Sequence, residues 1–171
     1  YGYQLDSLAG WNVRDDDTAG ERIRIEGRVF DGNGDPVNDA MIEIWQADDQ
    51  GRYAHPQDPR GSNSDFKGFG RVGTGTDPEN RFWFDTVKPG AIGEGHAPHI
   101  NVAVFARGLP SHAYTRIYFA DEAAANGGDA VFMSVPEDRR ATLLAQRNGG
   151  DGVYRFDIHL QGANETVFFD V

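Results

Sequence analysis

Short apolar stretches separated by turn-forming residues are the feature that most restricts how this sequence can fold. In the first stretch, Arg22–Phe30, apolar residues alternate with charged ones, as in a strand with one buried face. The 22 glycines and 8 prolines lie mostly between such stretches, where they favour turns. The pattern predicts an all-β fold, a single-domain β-sandwich of mostly antiparallel strands with long loops and one or two short helices. The predicted strands are residues 22–30, 37–46, 81–87, 99–106, 114–119, 153–160 and 165–171.

The segments between the strands predict the rest of the architecture. A dense turn signal at residues 31–36 predicts that the first two strands form a hairpin. Residues 48–77 are rich in Gly, Asp, Asn and Pro, which predicts a long loop of the kind that is often functional. Short helices are predicted at residues 121–126 and 136–147, the second because Pro136 precedes two acidic residues.

Domain organisation follows from the same pattern. Residues 1–20 are polar and irregular and predict an N-terminal arm, whereas residues 21–171 predict the sandwich domain. Because the sequence begins with Tyr1 and not Met, we expect a segment to precede it.

Composition excludes several classes of function. The chain has no cysteine, which excludes disulfides and thiolate metal sites and fits a reducing compartment. Its net charge of −11 would repel a phosphate backbone, so we expect no nucleic-acid partner. No apolar run approaches the length that spans a membrane, and no signal peptide is visible. We therefore expect a cytoplasmic protein without a membrane partner.

One strand carries a degenerate metal-ligand pattern. His99 and Asn101 lie two residues apart, so they share one face of the strand that begins at His99. A His-x-His pair at this spacing can chelate one metal ion, but asparagine is a poor ligand for a ferric ion.

This pattern and its flanking segments resemble the intradiol ring-cleaving dioxygenases. The resemblance runs from about residue 21 to residue 171, and the C-terminal stretch, residues 164–170, is typical of α-type subunits in the two-subunit members that cleave protocatechuate. The motifs that carry it are residues 43–48 (Glu-Ile-Trp-Gln-Ala-Asp), 87–90 (Val-Lys-Pro-Gly), 97–101 (Ala-Pro-His-Ile-Asn), 105–108 (Phe-Ala-Arg-Gly) and 156–162 (Phe-Asp-Ile-His-Leu-Gln-Gly).

The resemblance also implies a set of metal-ligand positions. Catalytic members hold Fe(III) with two tyrosines and two histidines, because a hard ferric ion favours phenolate oxygen. Tyr53 and His99 match one ligand of each kind, whereas Ile92 and Asn101 occupy the other two positions. These four relic positions imply that the chain itself binds no metal and that Fe(III) belongs to a β partner subunit. The implied assembly is a higher-order αβ oligomer in which protocatechuate and O2 meet at a shared pocket, giving 3-carboxy-cis,cis-muconate in the β-ketoadipate pathway.

Two further residues are implied to contribute to the partner's pocket. Tyr1 is the last remnant of an N-terminal arm that shapes this pocket, and Arg107 reaches towards it. The eight-residue separation of Arg107 from His99 corresponds to roughly 26 Å of extended strand, which is too far for Arg107 to serve the relic positions. A guanidinium there would suit the substrate's carboxylate. The alternative is a surface or interface arginine paired with a carboxylate.

Other interpretations stay open at this point. Tyr53 fits an ordinary amphipathic tyrosine and His99 a hydrogen-bonded structural histidine, and His55 and His96 could join them in an improvised metal site. For the whole chain, the alternatives are a transthyretin-like binding or structural module with no enzymatic role, and a self-sufficient enzyme that uses another metal.

Overall fold

The computed structural model describes residues 10–61, 66–150 and 152–170. Within these ranges the chain forms a 9-stranded sheet and a few short helical segments. The strands are β1 (Arg22–Phe30), β2 (Met41–Gln46), β3 (Phe69–Gly73), β4 (Arg81–Val87), β5 (His99–Phe105), β6 (Ala113–Phe119), β7 (Leu144–Arg147), β8 (Val153–Arg155) and β9 (Ile158–His159). The helices are α1 (Ala123–Asn126) and α2 (Ala130–Ser134), with 3₁₀ turns at Thr74–Thr76, Ala120–Glu122 and Glu137–Leu143.

The sheet curls so that its two halves face one core, which confirms the all-β sandwich. Its strand order is β3-β2-β5-β6-β7-β8-β1-β4, and β9 pairs with β1. Most neighbours are antiparallel; β1 pairs in parallel with β8 and β9, and β6 with β7. Strand β7 joins the halves because it bonds to β6 on one side and to β8 on the other.

The core lies between the two halves and is built from alternate residues of facing strands. Ile23 and Ile25 of β1 pack in the same buried cluster as Ile42 and Ile44 of β2, and none of the four is more than 4% exposed. The predicted alternation in both strands is therefore confirmed.

The predicted hairpin of the first two strands forms only at its turn, where Phe30 bridges Pro36 and the Val37 N–H donates to Val29 O at 2.8 Å, and its prediction of a ladder between the two strands is wrong. β1 pairs with β4 in the register Arg22↔Val87 to Arg28↔Arg81, whereas β2 pairs with β3 and β5. Residues 31–40 therefore carry the chain from one layer to the other. A turn signal predicts where the chain reverses direction, but it does not predict which strands pair with each other.

Several element boundaries also differ from the predictions. The predicted long loop contains β3, an edge strand whose two glycines hide its period. The predicted helix at 136–147 is a 3₁₀ turn that ends at Leu143 and continues as β7, while α2 was missed. The predicted strand 153–160 is divided into β8 and β9, because the Asp157 carboxylate accepts the Arg28 N–H where a ladder bond would lie. Residues 165–170 form no strand beyond an isolated bridge between Tyr114 and Phe169, and residue 171 lies outside the described residues.

Residues 10–13 lie along the seam where the two outer strands of the sheet approach each other. On the β4 side, the Asp85 N–H donates to Trp11 O and the Val13 N–H donates to Asp85 O, both at 2.9 Å. On the β3 side, the Arg71 N–H donates to Gly10 O. This segment therefore satisfies backbone groups on both edges of the sheet. Residues 10–20 contain no named strand or helix, and the division of the chain into an arm and a domain at residue 20 stays a prediction.

The seam makes a testable prediction about packing. A Cβ at Gly70 of β3 would lie 2.7 Å from Val13 Cγ2 and 2.9 Å from the Phe84 ring. We expect Gly70→Ala to lower the free energy of unfolding by roughly 1–3 kcal/mol through overpacking, and Val13→Ala to lower it by about 2 kcal/mol through a cavity. The double variant should lose at least ~0.5 kcal/mol less than the sum, because the smaller residue 13 makes room for the new methyl group. Urea unfolding of the four proteins measures this coupling, and strict additivity would contradict the packing described here.

Candidate functional site

The structure brings Tyr53 and Asn101 into contact. Asn101 Nδ2 on β5 lies 3.4 Å from Tyr53 Oη and 3.3 Å from the carbonyl oxygen of Trp45 on β2. The Tyr53 ring stacks on Trp45 with a centroid separation of 5.7 Å and an interplanar angle of 10°. Burial raises the pKa of Tyr53, which keeps its phenol protonated at neutral pH. The Asn101 amide therefore donates a hydrogen bond to a neutral phenol.

His99 is a buried histidine that is 3% exposed. Its Nδ1 lies 2.8 Å from the carbonyl oxygen of Ala97, so Nδ1 carries the hydrogen in this contact. Burial lowers the pKa of His99, so the imidazole is neutral at pH 7 and Nε2 holds the lone pair. This geometry gives His99 a structural role at the start of β5, where its ring also lies 5.8 Å from that of Tyr118.

Ile92 lies in the loop between β4 and β5, against the loop that carries Tyr53. Arg60 links the two loops, because Nη1 donates to Ile92 O at 3.3 Å and Nη2 donates to Gly51 O at 2.9 Å. The approach is so close that a Cβ at Gly51, whose φ is +74°, would lie 1.9 Å from Ala91 O. The position that corresponds to a ligand in catalytic members is thus held beside the Tyr53 loop, but its side chain has no ligand atom.

Three further residues complete the surroundings of the relic positions, and the sequence analysis missed all three. Arg116 of β6 lies directly opposite Asn101, and its Nη1 is 3.4 Å from Tyr118 Oη. Tyr118 Oη in turn donates to Asp129 Oδ1 at 3.2 Å. Burial raises the pKa of Tyr118 to about 12. No local motif marks these residues, because only the register of β5 with β6 places Arg116 beside Asn101.

Asp129 connects the loop before β5 with the start of α2. Its fully buried carboxylate accepts the N–H groups of Val131 and Phe132, which caps α2, and also that of Ala97, all at 2.9 Å. Burial works to raise the pKa of Asp129, but the N–H donors, led by those of Phe132 and Ala97, outweigh it and hold the pKa below its ordinary value. Asp129 is therefore ionised, and its hydrogen bonds fix the loop before β5.

The residues at the relic positions do not fit a ferric ion. One phenol and one imidazole remain, while Asn101 turns an amide donor towards the phenol and Ile92 contributes nothing. A hard trivalent ion requires anionic oxygen ligands, but Arg116 beside Asn101 is a cation, and the Asp129 carboxylate already accepts the N–H groups of Ala97, Val131 and Phe132. In the described parts of the chain, no group of three or more His, Cys, Asp or Glu side chains is placed to hold a metal ion. His55 instead packs edge-on against Trp45, with ring centroids 6.4 Å apart.

An open cavity of about 630 Å³ lies on the outer side of Tyr53. Its walls combine aromatic rings with the ion pair of Arg60 and Asp58, whose closest atoms are 2.7 Å apart. The cavity is lined by Trp45, Tyr53, His55, Gln57, Asp58, Pro59 and Arg60. Of the four relic positions, Tyr53 thus borders solvent-accessible space, whereas His99 is buried.

Arg107 lies beyond the other end of β5 from His99. Its side chain is 87% exposed and forms an ion pair with Asp39. Arg107 is therefore not brought together with Tyr53 or Asn101, and its place in a partner's pocket stays a prediction. Tyr1 lies outside the described residues. Among the residues that the structure describes, no helix is long and apolar enough to cross a membrane.

Fold and site together define a member of a known enzyme class. A family model described as Dioxygenase matches residues 6–162, which is most of the chain. The chain therefore belongs to the intradiol ring-cleaving dioxygenase family, which supports the enzyme-subunit interpretation over a stand-alone transthyretin-like module.

Individual relatives include both kinds of chain of one enzyme. The chain is 52% identical to the protocatechuate 3,4-dioxygenase alpha chain of Burkholderia cepacia, over 100% of this chain and 88% of the relative. It is 35% identical to the beta chain of the same enzyme and organism, over 90% of this chain and 70% of that relative. Among solved structures, the dioxygenase domain of a carbohydrate-binding fusion protein from Streptomyces sp. SirexAA-E matches with a TM-score of 0.70 at 28% identity, covering 94% of this chain and 93% of the domain.

Proposed function

We propose that this chain is the iron-free α-type subunit of a two-subunit protocatechuate 3,4-dioxygenase. It supports an iron-bearing β subunit in the O2-dependent conversion of protocatechuate to 3-carboxy-cis,cis-muconate in the bacterial cytoplasm. The observation that carries the proposal is the state of the relic positions. A chain with the fold of a dioxygenase family has an aliphatic residue at Ile92 and an amide at Asn101 that hydrogen-bonds the remaining phenol. Such a chain has a structural role in the assembly, and the metal chemistry takes place in its partner.

Similarity to both an alpha and a beta chain of one enzyme supports a two-chain assembly. Chains of one fold that pair permanently bury large surfaces, and we expect the α–β interface to exceed ~2,000 Å². Repetition of this pair gives a higher-order αβ oligomer.

Arg107 is the residue that we assign to the shared substrate pocket. Its guanidinium is exposed in the free chain, where Asp39 is its ion-pair partner. The net charge of −11 opposes the approach of an anionic substrate, so a local arginine would be needed to bind the carboxylate of protocatechuate. We assign Tyr1 to the same pocket on the basis of the family resemblance.

Co-expression with an untagged candidate β chain tests the proposal. We expect the two chains to purify together and the complex to carry iron and the colour of a tyrosinate–Fe(III) charge-transfer band. After separation, the iron should belong to the β chain. This chain alone should be colourless and free of iron, and it should aggregate or give a poor yield because the proposed interface lacks its partner.

Two outcomes would overturn the proposal, and each favours one of the alternatives. Stoichiometric iron, or another metal, in the isolated chain would indicate a self-sufficient enzyme. A monodisperse chain that binds no β subunit would instead favour a transthyretin-like module.

A further inference from the structure

Arg116 is a half-buried cation without an ion pair in the described parts of the chain. Its Nη1 hydrogen-bonds the neutral phenol of Tyr118 at 3.4 Å. Most other half-exposed arginines of this acidic protein have carboxylate partners, as Arg155 has in Asp157 at 2.9 Å. A guanidinium keeps its charge at every physiological pH, and the Asp129 carboxylate is linked to this one only through the Tyr118 hydroxyl and not by a direct ion pair.

The strand register places this charge among the relic positions. β5 and β6 pair His99 with Tyr118 and Asn101 with Arg116, and directly opposed residues of antiparallel strands point to the same side. Asn101 and Arg116 therefore lie side by side on the outer face of the sheet, since Ile100 and Val102 occupy the inner face. Tyr53 Oη joins this face through its contact with Asn101 Nδ2.

We propose that Arg116 excludes metal ions from the relic positions. Its fixed positive charge repels a metal ion and takes the place of the charge that a bound metal ion would supply. The inference rests on the proposed function, because it takes these positions to be a former metal site. Loss of two ligands then explains only part of the absence of iron. A metal ion that entered the site would also be repelled by the guanidinium.

The test compares restored sites with and without the arginine. Ile92→Tyr with Asn101→His supplies the missing ligand types, and Arg116→Gln added to this pair removes the charge but keeps a donor for Tyr118. We expect the triple variant to bind ferric iron on the order of 100-fold more tightly than the double variant. Metal content after desalting and the phenolate-to-iron absorption band measure the binding. Arg155→Gln added to the same pair lowers the net charge equally at a distant strand, and its affinity should match that of the double variant.

A second comparison avoids changing the Ile92 loop. Asn101→His alone creates a two-histidine chelate with His99, which Zn²⁺ can occupy. We expect isothermal titration with Zn²⁺ to show about 10-fold tighter binding for N101H/R116Q than for N101H, since the ion carries less charge. Equal affinities with and without Arg116 in both comparisons would overturn the inference and leave the proposed function intact. Iron bound stoichiometrically by the unmodified chain would instead overturn the proposed function.

Discussion

In the assembled α–β complex, Arg107→Ala should lower kcat/KM for protocatechuate about 10- to 100-fold. This range corresponds to the roughly 1.5–3 kcal/mol of a hydrogen bond between charged groups. Catechol lacks the carboxylate, so its kcat/KM should change less than about 3-fold. Arg107→Lys should retain part of the effect on protocatechuate, because lysine keeps the charge but loses the two-pronged geometry. Steady-state kinetics on both substrates measure the difference.

Asp39 provides the matched control for this prediction. Asp39→Ala removes the ion-pair partner of Arg107 but leaves the guanidinium in place. An exposed ion pair contributes about 0–1 kcal/mol to stability, so neither variant should unfold the chain. If Arg107 acts only through Asp39, the two variants will show the same losses, and these will be equal on both substrates. Unchanged kinetics in an intact complex would remove Arg107 from the pocket.

Asp129→Ala should lower the free energy of unfolding by roughly 3–5 kcal/mol, the largest effect that we expect from a single substitution. The change leaves the N–H groups of Ala97, Val131 and Phe132 without their acceptor, and an unsatisfied buried donor costs about 1–3 kcal/mol. Loss of the helix cap is part of this cost. Chemical denaturation of the α–β complex and of the chain, where it is soluble, measures the effect.

Asp157 provides the control that separates the effect of burial from the effect of removing a charge. Asp157→Ala removes an acceptor of the Arg28 N–H and an ion pair with Arg155, but these groups border solvent. We expect a loss of only about 1 kcal/mol, because water can replace the missing acceptor. If the two substitutions lowered the free energy of unfolding equally, the role of Asp129 as a buried acceptor of several N–H groups would be contradicted.

The Asp129 carboxylate predicts that part of the folding stability is sensitive to acid. The folded-state pKa of Asp129 is below its ordinary value, so the unfolded chain binds the proton more readily. The stabilisation is therefore complete above the unfolded pKa of about 3.9 and is lost as pH falls through the folded pKa. In Asp129→Asn this contribution is absent, so its unfolding free energy should fall less steeply than that of the unmodified chain below pH ~4.

The sequence by itself determined the class of fold and which residues enter the core. The period of two in β1 and β2 is a local property, and the residues that it marks, such as Ile25 and Ile42, are fully buried. The two-residue spacing of His99 and Asn101 was likewise visible in the sequence, whereas Tyr53 and Ile92 were implied only by the resemblance to the dioxygenase family. The contact of Asn101 with Tyr53 shows that two of these positions indeed meet.

Only the tertiary structure decided which strands pair and what surrounds the relic positions. β1 bonds to β4 and not to β2, since the choice depends on which apolar faces bury each other across the core. Leu144 and Ala145 follow a helix-like start but form a strand, because the edge of β6 at Tyr118 and Phe119 supplies their hydrogen-bond partners. Arg116 stands beside Asn101 for the same reason. Its place is fixed by the register of two strands, and register arises from long-range burial that no local pattern of residues encodes.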